Sequence, residues 1–170
     1  MNDKKFIIAV VAVTAFLLLG GIVLATRMTN PKPSAQIPTN TASNAKAAVI
    51  DESSLDWGNI VMSEGNKEAT FKIKNEGTDP LKLSEVVTSC ACTTAQLKLG
   101  DTVSPAFGMH NKSAYVFEVP PQQEAKLIVV FDPAFHGPNG VGPIDRFVTV
   151  ATNDPSQPQL QFSVKGIVSR

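Results

Sequence analysis

Two cysteines, Cys90 and Cys92, are the residues of this chain whose type and spacing most clearly suggest chemistry. They are its only cysteines and stand one residue apart in Ser89-Cys-Ala-Cys-Thr93. If residues 90–92 are extended, both side chains project to one face, with Cα atoms about 6.6 Å apart, near the upper limit for a disulfide. A disulfide would need a local kink, and Ala91 makes that kink less easy than glycine would. Two thiolates at this spacing suit one soft metal ion better than a bond to each other.

Further metal ligands lie in the loop that follows the cysteines. Met109 and His110 are adjacent there, and thiolate, thioether and imidazole are the ligand set expected for Cu(I). We therefore hypothesise a mononuclear copper site formed by Cys90 and Cys92 with Met109 or His110. His136, in a later Gly/Pro-rich loop, is a further candidate ligand.

Two other roles for the cysteines stay open. Small cysteines at a strand end are often buried packing residues, and packing or a local disulfide is our first expectation. Metal binding comes second. Thiol redox chemistry comes last, because both the C-x-x-C spacing and a thioredoxin-like βαβ pattern are missing from the sequence.

Composition argues against several functional classes. The 15 basic and 15 acidic residues balance, so the sequence offers no electrostatic footprint for nucleic acid. The chain contains only two histidines, no nucleotide-binding loop and no Ser/His/Asp constellation. We therefore expect a protein that is not an enzyme.

The N-terminal residues 1–27 predict a membrane anchor. An uncharged apolar run spans residues 6–25, and about 20 helical residues cross a bilayer core. A cleaved signal peptide is the alternative, although signal cores are shorter, roughly 7–15 residues. Lys4 and Lys5 precede the run and only Arg27 follows closely, which predicts a cytoplasmic N-terminus. The remainder would then lie outside the cytoplasm, in a single-pass cell-membrane protein.

Residues 28–50 and 51–170 differ sharply in character. The first segment is rich in Pro, Thr, Asn, Ser and Ala, and we expect it to be a flexible linker. The second contains alternating apolar segments separated by turn residues, as in Ala69–Lys74 and Leu160–Lys165. The pattern predicts an all-β, immunoglobulin-like sandwich of about seven strands.

Several motifs of the folded part resemble a known family. They are Phe71-x-Ile-x-Asn75-x-Gly77, the stretch Ser89–Thr93, Phe131-Asp-Pro133, Val148–Asn153 and Val164-x-Gly-Ile-Val168. Together they resemble a bacterial extracytoplasmic domain-of-unknown-function family with an S-C-G-C-T signature. That family is related in architecture to the immunoglobulin-like domains of cilia and of major sperm protein.

The resemblance implies a fold and a location rather than a reaction. Ala91 replaces the family's central glycine, so a left-handed backbone is not expected to be required at that position. We expect a membrane-anchored binding or assembly module that contacts another envelope protein. Copper handling is the alternative function, and a thiol-redox protein is the remote one.

Overall fold

The computed structural model describes residues 43–110 and 113–170. Within them the chain forms two five-stranded β-sheets. The strands are β1 (Ala47–Ile50), β2 (Ser54–Val61), β3 (Lys67–Asn75), β4 (Leu81–Thr88), β5 (Thr93–Leu99), β6 (Thr102–Val103), β7 (Phe117–Val119), β8 (Glu124–Phe131), β9 (Gly142–Thr152) and β10 (Gln159–Ser169).

The sheets are assembled from strands that are distant in sequence. The first sheet has the order β1-β3-β8-β5-β6 and the second β2-β10-β9-β4-β7. All strand pairs are antiparallel except β2 and β10, which run parallel. β8 lies in the middle of its sheet, as its nearly continuous apolar sequence predicts.

Inward-facing side chains of the two sheets form the core of a β-sandwich. β3 buries Ala69, Phe71 and Ile73 at every second position, and β10 does the same with Leu160, Phe162 and Val164. Phe71 of the first sheet contacts Phe162 of the second, with ring centroids 5.1 Å apart. The predicted all-β sandwich is therefore confirmed.

The described residues contain ten strands, so the expected number of about seven was too low. The additional strands are β1, β5 and β6. β1 falls inside the predicted linker 28–50 but pairs with Lys72–Asn75 of β3. The sequence hides it because it has only four residues, two of them alanine.

β1 is held in place by a buried carboxylate. Asp154 accepts hydrogen bonds from the backbone N–H of Ala47 at 2.8 Å and from both the N–H and the hydroxyl of Ser156 at 2.7 Å. Burial alone would raise the pKa of Asp154. The hydrogen bonds from Ser156, Ala47 and Gln157 outweigh burial and lower that pKa below its usual value. Asp154 precedes Pro155 and is a structural turn residue.

The Asn75-x-Gly77 motif builds the turn between β3 and β4. The fully buried Asn75 amide donates to the carbonyls of Asp79 and Val119 at 2.8 and 2.9 Å, and its oxygen accepts from Gly77 N–H at 2.9 Å. A Cβ on Gly77 would overlap the backbone of residues 44–46. The motif therefore packs the segment that precedes β1 against this turn.

Helical structure is confined, among the described residues, to two three-residue 3-10 turns, Met62–Glu64 and Gly137–Asn139. Within residues 43–110 and 113–170, no helix has the length and hydropathy needed to cross a membrane. The anchor predicted for residues 1–27 lies outside the described residues.

Candidate functional site

The two cysteines lie in the tight turn that connects β4 to β5. Thr93 N–H donates to the Cys90 carbonyl at 3.1 Å, which closes the turn. Cys90 and Cys92 form a disulfide with their Cα atoms 5.2 Å apart. The extended geometry assumed for residues 90–92 is therefore wrong, and the local disulfide included in our first expectation for the cysteines is present. Ala91 does not adopt a left-handed backbone, as expected.

The flanking residues of the motif fix the shape of this turn. The Thr88 hydroxyl lies 3.0 Å from the carbonyl oxygens of both Cys90 and Thr93. Ser89 N–H donates to the Phe147 carbonyl at 2.9 Å, and Phe147 N–H donates to the Ser89 hydroxyl at 2.9 Å. These bonds to β9 hold the cysteine backbone independently of the disulfide.

The two sulfurs differ in their exposure. Cys92 is only 3% exposed and packs with Ile60, Phe131 and Val168 in a small apolar cluster at one end of the sandwich. Cys90 is half-buried at the surface beside this cluster. One side of the pair is therefore accessible to solvent, whereas the other is part of the core.

Three nitrogen atoms lie close to the sulfurs. Cys92 N–H donates to Cys90 Sγ at 3.2 Å, and Arg146 Nε donates to Cys92 Sγ at 3.3 Å. His136 Nε2 lies 3.5 Å from Cys90 Sγ. A backbone dipole and a guanidinium cation are thus arranged to stabilise negative charge on sulfur, as they would for a thiolate.

The predicted ligands are distributed unevenly around the pair. Cys90, Cys92 and His136 place their ligand atoms within 4.8 Å of one another. His110 is outside this group. It follows Met109, which is 42% exposed, in a segment whose Gly108 carbonyl accepts from Thr88 N–H at 3.5 Å. Copper binding by the cysteines with Met109 or His110 stays a prediction.

Arg146 is the site residue that the sequence analysis missed. It begins a segment in which Val148 and Val150 are buried at every second position. The same alternation places Arg146 on the inward face of β9. An arginine on the same strand face as two core valines indicates that a hydrogen-bond acceptor lies close to it in the interior. Here that acceptor is Cys92 Sγ.

Residues 48–168 match the model of the family described as "Protein of unknown function (DUF1573)". The chain belongs to this family. The match covers nearly the whole sandwich and includes the disulfide turn, which confirms the resemblance carried by the sequence motifs. A search among curated proteins gave no match.

A solved structure shares the fold of this DUF1573 member. A protein of unknown function from Porphyromonas gingivalis W83 superposes with a TM-score of 0.56 and 23% identity, over 78% of this chain and 51% of that one. The chain thus spans about half the length of that structure, and the likeness shows the shared fold alone.

Two weaker likenesses are to smaller domains. The ASH / PapD-like domain 7 of human CEP192 gives a TM-score of 0.45 at 16% identity, covering 76% of this chain and 87% of that one. WR4, a member of the MSP family from C. elegans, gives 0.40 at 13% identity, with coverage of 75% and 99%.

Proposed function

We propose that this DUF1573 chain is a non-catalytic binding module. In this proposal a single-pass anchor holds it at the cell membrane, with the N-terminus cytoplasmic and the sandwich outside the cytoplasm. Its partner is an extended segment of another envelope protein, which adds to an open strand edge. The observation that carries the proposal is a cleft between two open strand edges, β2 of one sheet and β3 of the other.

The first half of β3 provides one open edge. β3 pairs with β8 from Lys67 to Lys74, but β1 covers only Lys72–Asn75 on the other side. Residues 67–71 therefore have a single strand neighbour within the described part of the chain. The chain leaves this edge at Asp51, whose φ of +69° turns it from one sheet to the other. Unpaired backbone N–H and C=O groups at such an edge are the groups that bind an added strand.

β2 provides the second open edge. It is the outermost strand of its sheet and pairs only with β10 among the described strands. We call the space between the two edges the β2–β3 cleft. It is lined by Asp51, Glu52, Ser54, Leu55, Thr70 and Phe71.

The cleft combines an apolar surface with acidic charge. Leu55 is 39% exposed, and it lines the cleft together with the core residue Phe71. Asp51 and Glu52 add two carboxylates, one of which pairs with Lys72 at 3.3 Å. This chemistry suits a strand that inserts an apolar side chain next to a basic residue.

Photocrosslinking in intact cells tests this function. A photoreactive phenylalanine analogue replaces Leu55 in the full-length chain, and a control chain carries it at Val103, which is 47% exposed on the edge strand β6. We expect a discrete protein adduct from position 55 and none from position 103. Absence of an adduct at 55, or equal adducts at both positions, would contradict the proposed binding edge.

A fusion experiment tests the topology separately. A reporter enzyme that is active only outside the cytoplasm is attached after Arg170. Activity in the full-length chain, lost when residues 1–27 are deleted, is the expected result. Activity that persists without those residues would contradict the predicted anchor.

A further inference from the structure

We propose that Cys90, Cys92 and His136 form a redox-gated Cu(I) site. The disulfide is its closed form, and reduction to two thiols opens it. This inference uses none of the residues that line the β2–β3 cleft, so it stands or falls independently of the proposed binding function.

The ligand atoms already lie at distances that one ion can bridge. His136 Nε2 is 3.5 Å from Cys90 Sγ, and all three ligand atoms lie within 4.8 Å of one another. Metal–sulfur and metal–imidazole bonds of about 2.0–2.3 Å place two ligands of a trigonal ion about 3.5–4 Å apart. Once the sulfur–sulfur bond is broken, side-chain rotation of the cysteines is enough to reach this geometry.

The backbone is held in place whether or not the disulfide is present. Ser89 and Phe147 exchange two hydrogen bonds, and Thr88 lies within hydrogen-bond distance of two carbonyls of the turn. His136 is oriented by Phe135, whose ring meets the imidazole edge-on with centroids 5.1 Å apart. Reduction therefore leaves the three ligands close together, which lowers the entropy cost of binding an ion.

Charge favours a monovalent ion. Two thiolates and Cu(I) together carry one negative charge, and the Arg146 guanidinium, which donates to Cys92 Sγ at 3.3 Å, neutralises it. A divalent ion such as Zn²⁺ would leave an excess positive charge beside Arg146. Two sulfurs and one imidazole are also the soft ligands that Cu(I) prefers.

Opening the site requires a reductant, which we take to be a dithiol. Its two thiols transfer two electrons and two protons to the disulfide, giving Cys90–SH and Cys92–SH, and they leave as a disulfide. Cu(I) then displaces the two thiol protons and bonds both sulfurs and His136 Nε2. Exchange with a second disulfide reverses this step: the two site thiolates pass two electrons to that disulfide, which takes up two protons and leaves as a dithiol, while Cys90 and Cys92 re-form their bond and release Cu(I).

The ligand set differs from that expected from sequence in its third member. His136 replaces Met109 or His110, because its imidazole is the one that lies against Cys90. His136 is exposed, so its replacement is not expected to disturb folding. His110 is also exposed and offers a matched control.

The test is a titration of the purified full chain in detergent with Cu(I), in competition with a chromogenic chelator. We expect the dithiol-reduced protein to bind one Cu(I) and the oxidised protein at least about 100-fold more weakly. His136→Ala should weaken binding by about 10-fold or more, whereas His110→Ala and Met109→Ala should leave it unchanged. X-ray absorption of the loaded protein should give two sulfur ligands and one nitrogen ligand.

Several results would overturn the proposal. Equal binding by oxidised and reduced protein would remove the redox gate, and an unchanged affinity in His136→Ala would remove the third ligand. Loss of binding in His110→Ala but not in His136→Ala would restore the ligand set expected from sequence. Binding of Zn²⁺ in preference to Cu(I) at matched competition would contradict the charge argument.

Discussion

The Asn75 side chain provides the sharpest test of how this sandwich is held together. Its amide nitrogen donates to the carbonyls of Asp79 and Val119, and its oxygen accepts from Gly77 N–H. The side chain is completely buried. Asn75→Asp keeps its size and shape but replaces the donor by an oxygen facing two carbonyl oxygens.

The loss of stability follows from these contacts. In Asn75→Asp the two hydrogen bonds of 2.8 and 2.9 Å are lost, and the side chain no longer provides a donor for the buried Val119 carbonyl. Each lost bond contributes about 1 kcal/mol, and an unsatisfied buried group adds about 1–3 kcal/mol. We expect Asn75→Asp to lower the free energy of unfolding at neutral pH by about 4 kcal/mol.

The same variant should recover stability in acid. A protonated carboxyl can donate to one of the two carbonyls, so folding raises the pKa of the introduced group above its unfolded value of about 4. The stability that the protonated carboxyl contributes is present below the unfolded pKa and is lost as pH rises through the folded pKa. The difference in free energy of unfolding between Asn75→Asp and the parent should therefore shrink as pH falls toward about 4.

Urea unfolding followed by the fluorescence of Trp57, the only tryptophan, measures both effects. With an m-value of about 2 kcal/mol per molar urea, the midpoint should fall by about 2 M with the slope unchanged. Asn66→Asp adds the same charge at an exposed position and should be nearly neutral. A deficit below about 1 kcal/mol, or one that does not vary with pH, would refute the reasoning.

Two further substitutions test the same end of the domain. Gly77→Ala should destabilise the domain by about 2–3 kcal/mol, because a Cβ at this position meets Lys46 N at 2.6 Å. The control Gly108→Ala has open space around the added Cβ, so it should leave the thermal unfolding temperature unchanged. Asp154→Asn should cost about 1–3 kcal/mol at neutral pH, because one acceptor oxygen is replaced by a donor. Folding lowers the pKa of Asp154, so the stability that its carboxylate contributes is present above the unfolded pKa and is lost as pH falls through the folded pKa. The urea midpoints of Asp154→Asn and of the parent protein should therefore converge below about pH 4.

The strands that alternate clearly between apolar and polar residues were predictable. β3 and β10 follow that pattern, and the structure buries the residues it selects. β5 alternates too, burying Thr93, Ala95 and Leu97, but two of these side chains are small or polar. β1 was hidden because it has only four residues, and one group that holds it, the Asp154 carboxylate, lies more than a hundred residues away. Local patterns carry no information about such a partner.

The cysteine pair was located by sequence but its geometry was not. Spacing alone suggested an extended segment, whereas bonds between Ser89 and Phe147 and around Thr88 shape the turn that brings the sulfurs together. The proximity of His136 to Cys90 arises from the loop after β8, whose path a single sequence does not specify. Long-range contacts, rather than residue types, determine which candidate ligands meet.

The parallel pairing of β2 with β10 also constrains the order in which the chain acquires its structure. Ser54 and Ser163, whose hydroxyls bond at 2.8 Å, are separated by 109 residues. β2 is synthesised early, yet its only strand neighbour in the described sandwich is absent until Gln159–Ser169 has been made. Pairings of such sequence separation form slowly. For most of its synthesis the nascent chain therefore has Leu55 and Trp57 in a strand that lacks its partner β10. During this period another extended polypeptide can compete for the edge of β2 that later pairs with β10.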